Sequence, residues 1–177
     1  MRAILGQQVS VAAARRLAEQ LVANHGKPVS RDYVSDPRLT HVFPTPGHLT
    51  SAGSINVGMP RYRQLSLRAL AEAASVDPNL FRPFGTIEEA IAKLREIPGV
   101  DEWTAQYIAL RALREMDAFP ASDIGLLRGA ATIDAKCATS DSLLTRAECW
   151  RPWRAYAAQH LWAANSSATP FSELTHA

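Results

Sequence analysis

The stretch Leu94-Arg95-Glu96-Ile97-Pro98-Gly99-Val100-Asp101-Glu102-Trp103-Thr104-Ala105 decides the fold class. Just before it, Thr86-Ile87-Glu88-Glu89 reads as a capping box, in which the threonine serves the new helix and Glu89 reaches back. Ile87, Ala90, Ile91 and Leu94 then recur at helical spacing. Pro98 and Gly99 stop that helix, one by fixing φ and the other by allowing a conformation or close approach that a Cβ would block. A second helix starts near Asp101 and runs through Trp103, Tyr107, Ile108, Leu110 and Leu113. Its first turn offers unpaired N–H groups and a positive dipole end, which suits an anion; on a duplex that anion is a phosphate. An αα-hairpin packed only for stability has the same pattern, so the turn alone leaves both readings open.

Outward from the hairpin, every strong pattern is helical. Leu5, Val9, Ala13, Leu17 and Leu21 recur every four residues and predict one helix over Arg2 to Asn24, ended by His25-Gly26 and Pro28. Residues 27–45 are polar and irregular. Thr45-Pro46 predicts an N-cap and first helical position for a short helix to about Ala52. Gly58-Met59-Pro60 feeds a helix from Pro60 to about Ser75, and 76–85 is a loop containing Pro78, Pro83 and Gly85. Beyond the hairpin, helices are expected from Asp123 to about Ala130, from Ser142 to Glu148, and from Pro152 (at the first helical position) to Asn165. No segment alternates as a strand does. The fold class is all-α.

Composition narrows the function classes. The 177 residues are 47% hydrophobic and 20% charged, ordinary for a globular chain and too apolar for a disordered one. A net charge of +2 does not by itself announce nucleic acid, although most of the basic residues are arginine, the side chain suited to phosphate and carboxylate. Two cysteines, Cys137 and Cys149, are too few for a Cys₄ zinc site, an iron–sulfur cluster or a disulfide framework. No apolar run approaches the roughly 18 residues of a membrane span, and the N-terminus has no signal-peptide pattern. A cytoplasmic location and no membrane association are expected.

The candidate chemistry is sparse. Trp103 and Tyr107 lie four apart on one helix and share a face, fitting either core packing or a wall on which a base stacks. Trp162 lies on the opposite side of its helix from Trp153, at about 100° per residue, so these two cannot serve one surface. Asp123, after Phe119-Pro120-Ala121-Ser122, opens a helix; it is a cap, or a carboxylate placed to offset a developing cation or orient water. The five histidines, including His160 and His176, are scattered.

Four blocks in order carry a resemblance: Ala3-Ile4-Leu5-Gly6-Gln7-Gln8-Val9-Ser10, Gly58-Met59-Pro60, Trp103-Thr104-Ala105-Gln106-Tyr107-Ile108-Ala109-Leu110-Arg111, and Arg151-Pro152-Trp153-Arg154-Ala155-Tyr156 leading to His160-Leu161-Trp162. With the hairpin and Asp123 they resemble the helix-hairpin-helix DNA glycosylase superfamily, in its 3-methyladenine DNA glycosylase II (AlkA) type, to about residue 163. The resemblance implies two helical lobes around a cleft, in one glycosylase domain over 1–177 with the hairpin at about 86–114. The α/β lobe that often precedes this region in the family is expected to be absent.

It further implies a monofunctional enzyme that flips an alkylated purine (3-methyladenine or 7-methylguanine) out of duplex DNA and hydrolyses its N-glycosidic bond with water. By that resemblance Asp123 is catalytic, and Trp103, Tyr107 and Trp162 line the base pocket. Gly99, Val100, Asp101 and Thr104 meet the DNA backbone, and Gln8 fills the gap left by the flipped base. Lyase relatives carry a Lys at the position of Trp103, and an indole cannot form a Schiff base. Asp101 stands where the family usually has a second Gly against a phosphate, and Gln8 where an apolar wedge is usual. No cofactor is expected, a monovalent cation at the hairpin is suggested, and the expected state is a monomer on double-stranded DNA. The alternative is a non-catalytic helix-hairpin-helix module that recognises DNA structure.

Overall fold

The computed structural model describes residues 1–30, 32, 34, 36–82 and 85–168. The end of the expected domain with His176, and Pro83 of the expected loop, lie outside the described residues. Two compact units share the chain: Met1–Arg82 with Lys93–Val100, and Pro83–Ala92 with Asp101–Ala177.

In the first unit, α1 (Arg2–Leu5) and α2 (Val11–His25) replace the single expected helix. The apolar repeat runs through both, but Gly6 to Ser10 break the backbone: Gln8 takes φ 55° and Ser10 caps α2 by accepting from Ala13 N–H. The irregular stretch holds one short antiparallel pairing, β1 (Lys27–Pro28) with β2 (His41–Val42). Two-residue strands are too short to show alternation, which is why the all-α pattern concealed them. Next come α3 (Pro46–Ser51), capped by Thr45 as expected, and α4 (Arg61–Val76), for which Pro60 is the N-cap and not the first helical residue. Leu5, Leu21, Leu49, Leu67 and Leu70 are fully enclosed in this unit. Buried Arg63 of α4 donates to the Ile4 and Leu5 carbonyls at 3.1 and 2.9 Å, satisfying the open end of α1.

Helix α5 (Ile87–Arg95) opens with the expected capping box: Glu89 Oε2 accepts from Thr86 N–H at 2.8 Å and Thr86 Oγ1 from Glu89 N–H at 3.2 Å.

The second unit begins its long run with α6 (Glu102–Ile108), which widens into a π-turn over Ala109–Leu113 and ends at Arg114 in the left-handed region. Helix α7 (Ile124–Ile133) packs on α9 (Arg154–Ala168), with α8 (Ser140–Ala147) beside α7. The α7–α9 approach is close because Gly129 lies where a Cβ would strike the Leu161 carbonyl. Pro152 does not open the last helix: the Arg151–Pro152 bond is cis and α9 begins two residues later, at Arg154. Among the described residues no helix is long and apolar enough to cross a membrane.

Candidate active site

The second unit delivers one carboxylate into a set of rings. The segment leading to it is pinned from two helices. Gln106 of α6 accepts from Phe119 N–H at 3.0 Å. From α9, the nearly enclosed Arg154 forks onto Asp117, with Nε and Nη2 each 2.8 Å from a carboxylate oxygen. Arg151 adds a second pairing to Asp117. The chain then reaches Asp123, which caps α7 by accepting from Leu126 N–H at 3.0 Å.

Capping accounts for only part of that side chain. Trp162 Nε1 donates to Asp123 Oδ1 at 2.8 Å, and Trp103 Nε1 donates to Oδ2 at 3.0 Å. A carboxylate has about four acceptor positions. Two on Oδ1 and one on Oδ2 are taken by described residues, which leaves one on Oδ2. Asp123 is half-buried, as are Trp103, Tyr107 and Trp162.

Gly125 makes the Trp162 contact feasible. A Cβ there would come within 3.0 Å of both Asp123 Oδ1 and Trp162 Cδ1. No sequence signal singled out this glycine, because it lies in the first turn of a helix and is needed only for a ring arriving from 37 residues downstream.

The rings form one group. Trp103 and Tyr107 stack with centroids 5.3 Å apart and planes 20° apart; Tyr107 and Trp162 meet edge to face at 6.1 Å and 68°. Arg111, one helical turn after Tyr107, places its guanidinium carbon 5.6 Å from the Tyr107 centroid and 5.1 Å from that of Trp162. Nothing in the local sequence around Arg111 points to this contact, which forms only where the α6 run meets α9. Trp103 also lines a separate cavity of about 400 Å³ with Glu88, Glu102, Arg151 and Arg154, to which neither Asp123, Tyr107 nor Trp162 contributes. Trp153 turns away to an exposed edge contact with Tyr156, and His160 is exposed.

The residues expected to touch DNA backbone are placed unequally. In the first unit, Gly99 is exposed with φ 82°, and a Cβ on it would overlap the Ser66 side chain. Val100 is buried and donates its N–H to the Ile97 carbonyl. Gln8 is exposed in the turn after α1, while its neighbour Gln7, not singled out from sequence, donates to the Gly99 carbonyl at 3.0 Å. In the second unit, Asp101 is exposed and caps α6, accepting from Thr104 N–H at 2.8 Å. Thr104 itself is fully buried with its N–H engaged, so it presents no group to a phosphate. Among the described residues no group of three or more His, Cys, Asp or Glu side chains is placed to hold a metal ion.

No protein-family model matches the chain. Over 163 residues, 92% of the chain, it is 40% identical to a probable bifunctional transcriptional activator/DNA repair enzyme AlkA of Mycobacterium tuberculosis, of which it covers 32%. Over 167 residues it is 34% identical to DNA-3-methyladenine glycosylase 2 of Escherichia coli, of which it covers 55%. The chain therefore spans about half the length of these curated relatives, or less. Among solved structures, a 3-methyladenine DNA glycosylase from Archaeoglobus fulgidus superposes with a TM-score of 0.80 at 23% identity, over 96% of this chain and 58% of that one. The 3-methyladenine DNA glycosylase of Schizosaccharomyces pombe, in complex with abasic DNA, gives 0.67 at 25% identity, over 91% and 76%. Along nearly its whole length the chain is similar in sequence to AlkA-type DNA repair proteins, and its fold is that of solved 3-methyladenine DNA glycosylases.

Proposed function

We propose that the chain carries a monofunctional DNA N-glycosylase centre that removes alkylated purines, 3-methyladenine and 7-methylguanine among them, from duplex DNA in base excision repair. One observation carries the reading: a carboxylate fixed by two indole N–H groups at the edge of three clustered rings, with one acceptor position left on Asp123 Oδ2 among the described residues. Loss of a purine leaves positive charge on the sugar. A fixed carboxylate lowers the energy of that oxocarbenium-like state without reorganising during the reaction. The open position on Oδ2 serves the cation or the attacking water. The rings supply π-faces for the extruded base, and a cationic alkylated purine gains about 0.5–2 kcal/mol there.

Hydrolysis by water, without strand cleavage, follows from Trp103: its N–H is committed to Asp123, and it has no amine with which to form a Schiff base. The reading requires no cofactor and routes no step through a cation at the hairpin. The similarity to 3-methyladenine DNA glycosylases supports an alkylated purine as substrate. The proposed partner is duplex DNA, met inside the cell by a monomer.

The test is base release from methylated duplex DNA by the unmodified chain and by Asp123→Asn. The substitution keeps an oxygen for the α7 cap but removes the charge, and release should fall by about a hundred- to a thousandfold while DNA binding persists. Equal release by both proteins removes Asp123 from the reaction. Salt-sensitive binding with no release by the unmodified chain leaves the non-catalytic DNA-structure module in its place.

A further inference from the structure

The three rings are not a vacant slot. A base between two parallel rings needs two stacking distances, roughly 7 Å in all from carbon contacts of about 3.5–4.0 Å. Tyr107 and Trp162 instead touch edge to face at 6.1 Å, with the Arg111 guanidinium over both rings. Among the described residues no ion pair to Arg111 is formed, and its charge lies on the rings. It also sits in the π-turn, four residues after Tyr107 on the same helical run.

We propose that Arg111 is a specificity-determining residue that sets the balance between cationic and neutral bases at this site. The inference rests on the base-excision reading, in that a base must enter the ring cluster. A cationic purine that meets Tyr107 or Trp162 shares that electron-rich ring with a like charge. At an effective dielectric near 20, two unit charges about 6 Å apart shift an equilibrium by roughly ten- to a hundredfold, and salt reduces this. A neutral purine meets no such penalty. The same guanidinium can donate to a purine O6 and N7, an edge that N7-alkylation blocks. Arg111 therefore subtracts from the cation–π advantage of an alkylated base and leaves neutral bases untouched or favoured.

The experiment measures binding at the rings by quenching of indole fluorescence, with 7-methylguanosine held in its cationic form and guanosine as its neutral counterpart. The comparison covers the unmodified chain, Arg111→Met and Arg111→Lys. Arg111→Met should tighten the cationic nucleoside about tenfold relative to guanosine, and Arg111→Lys, which keeps the charge, should retain the original ratio. Release of 7-methylguanine relative to hypoxanthine from duplex DNA should move the same way. An unchanged ratio in Arg111→Met overturns the proposal, as does the same change in both substituted proteins or failure of either nucleoside to bind. If the binding ratio moves but no base is ever released, the excision reading fails while the charge selection stands.

Discussion

Trp162 Nε1 and Asp123 Oδ1 are hydrogen-bonded at 2.8 Å across 39 positions of chain, and Trp103 completes the arrangement from a third element. Hydrogen bonds to charged groups are worth about 1.5–3 kcal/mol each. Replacing Trp162 by Phe keeps a ring and removes that donor, so base release should fall about ten- to a hundredfold. Trp103→Phe should cost a similar amount. Because both donors orient one carboxylate, the double substitution should cost less than the two effects added together. Full additivity in a double-mutant cycle would show that the two indoles act on separate steps.

Gly125 separates activity from stability. As the second residue of α7 it gains helix propensity from Ala, by up to about 1 kcal/mol. The new methyl group would lie 3.0 Å from Trp162 Cδ1 and 3.2 Å from its Nε1. Gly125→Ala should therefore leave urea unfolding unchanged or slightly shifted to higher denaturant, while base release falls about tenfold as the indole is pushed from Asp123. Unaltered release would mean the Trp162–Asp123 bond is dispensable.

What was legible in the sequence divides along a physical line. Local signals carried through: Thr45 and the Thr86–Glu89 pair cap the helices they precede, and the Ile87–Leu94 stripe is helical. Each depends on atoms within four residues. Asp123 was open between cap and functional carboxylate, and it both caps α7 and accepts two indole N–H groups. Those two bonds depend on α6, α7 and α9 converging, which no window of sequence contains. The break at Gly6–Ser10 was hidden because the apolar repeat continues across it. Arg111, Gly125 and Gln7 matter through contacts made only after folding.

The hairpin glycine is constrained twice. Gly99 has φ 82°, a region costing about 1–2 kcal/mol for an L-residue, and Ser66 of α4 fills the space a Cβ would take. Gly99→Ala should destabilise the chain by about 2–4 kcal/mol, the strain adding to overpacking. In a Ser66→Gly background only the φ cost should remain, so the glycine substitution should then cost about 1–2 kcal/mol. Urea midpoints of the four proteins check this; an equal cost in both backgrounds would show that the turn moves away from α4.

Asp101 separates a cap from a charge. Its carboxylate accepts from Thr104 N–H, and Asn caps a helix as well as Asp does, so Asp101→Asn should hold stability within about 0.5 kcal/mol while Asp101→Ala loses about 1 kcal/mol. Duplex DNA should respond to the charge alone. An exposed carboxylate in the turn expected to meet a phosphate repels it, so both substitutions should tighten DNA binding at low salt, by a few-fold, with the gain shrinking as salt rises. Fluorescence anisotropy over a salt series measures both the shift and its slope. Weaker binding by Asp101→Asn would reverse the sign and mean that the carboxylate draws DNA in, as it would by holding a cation against the backbone.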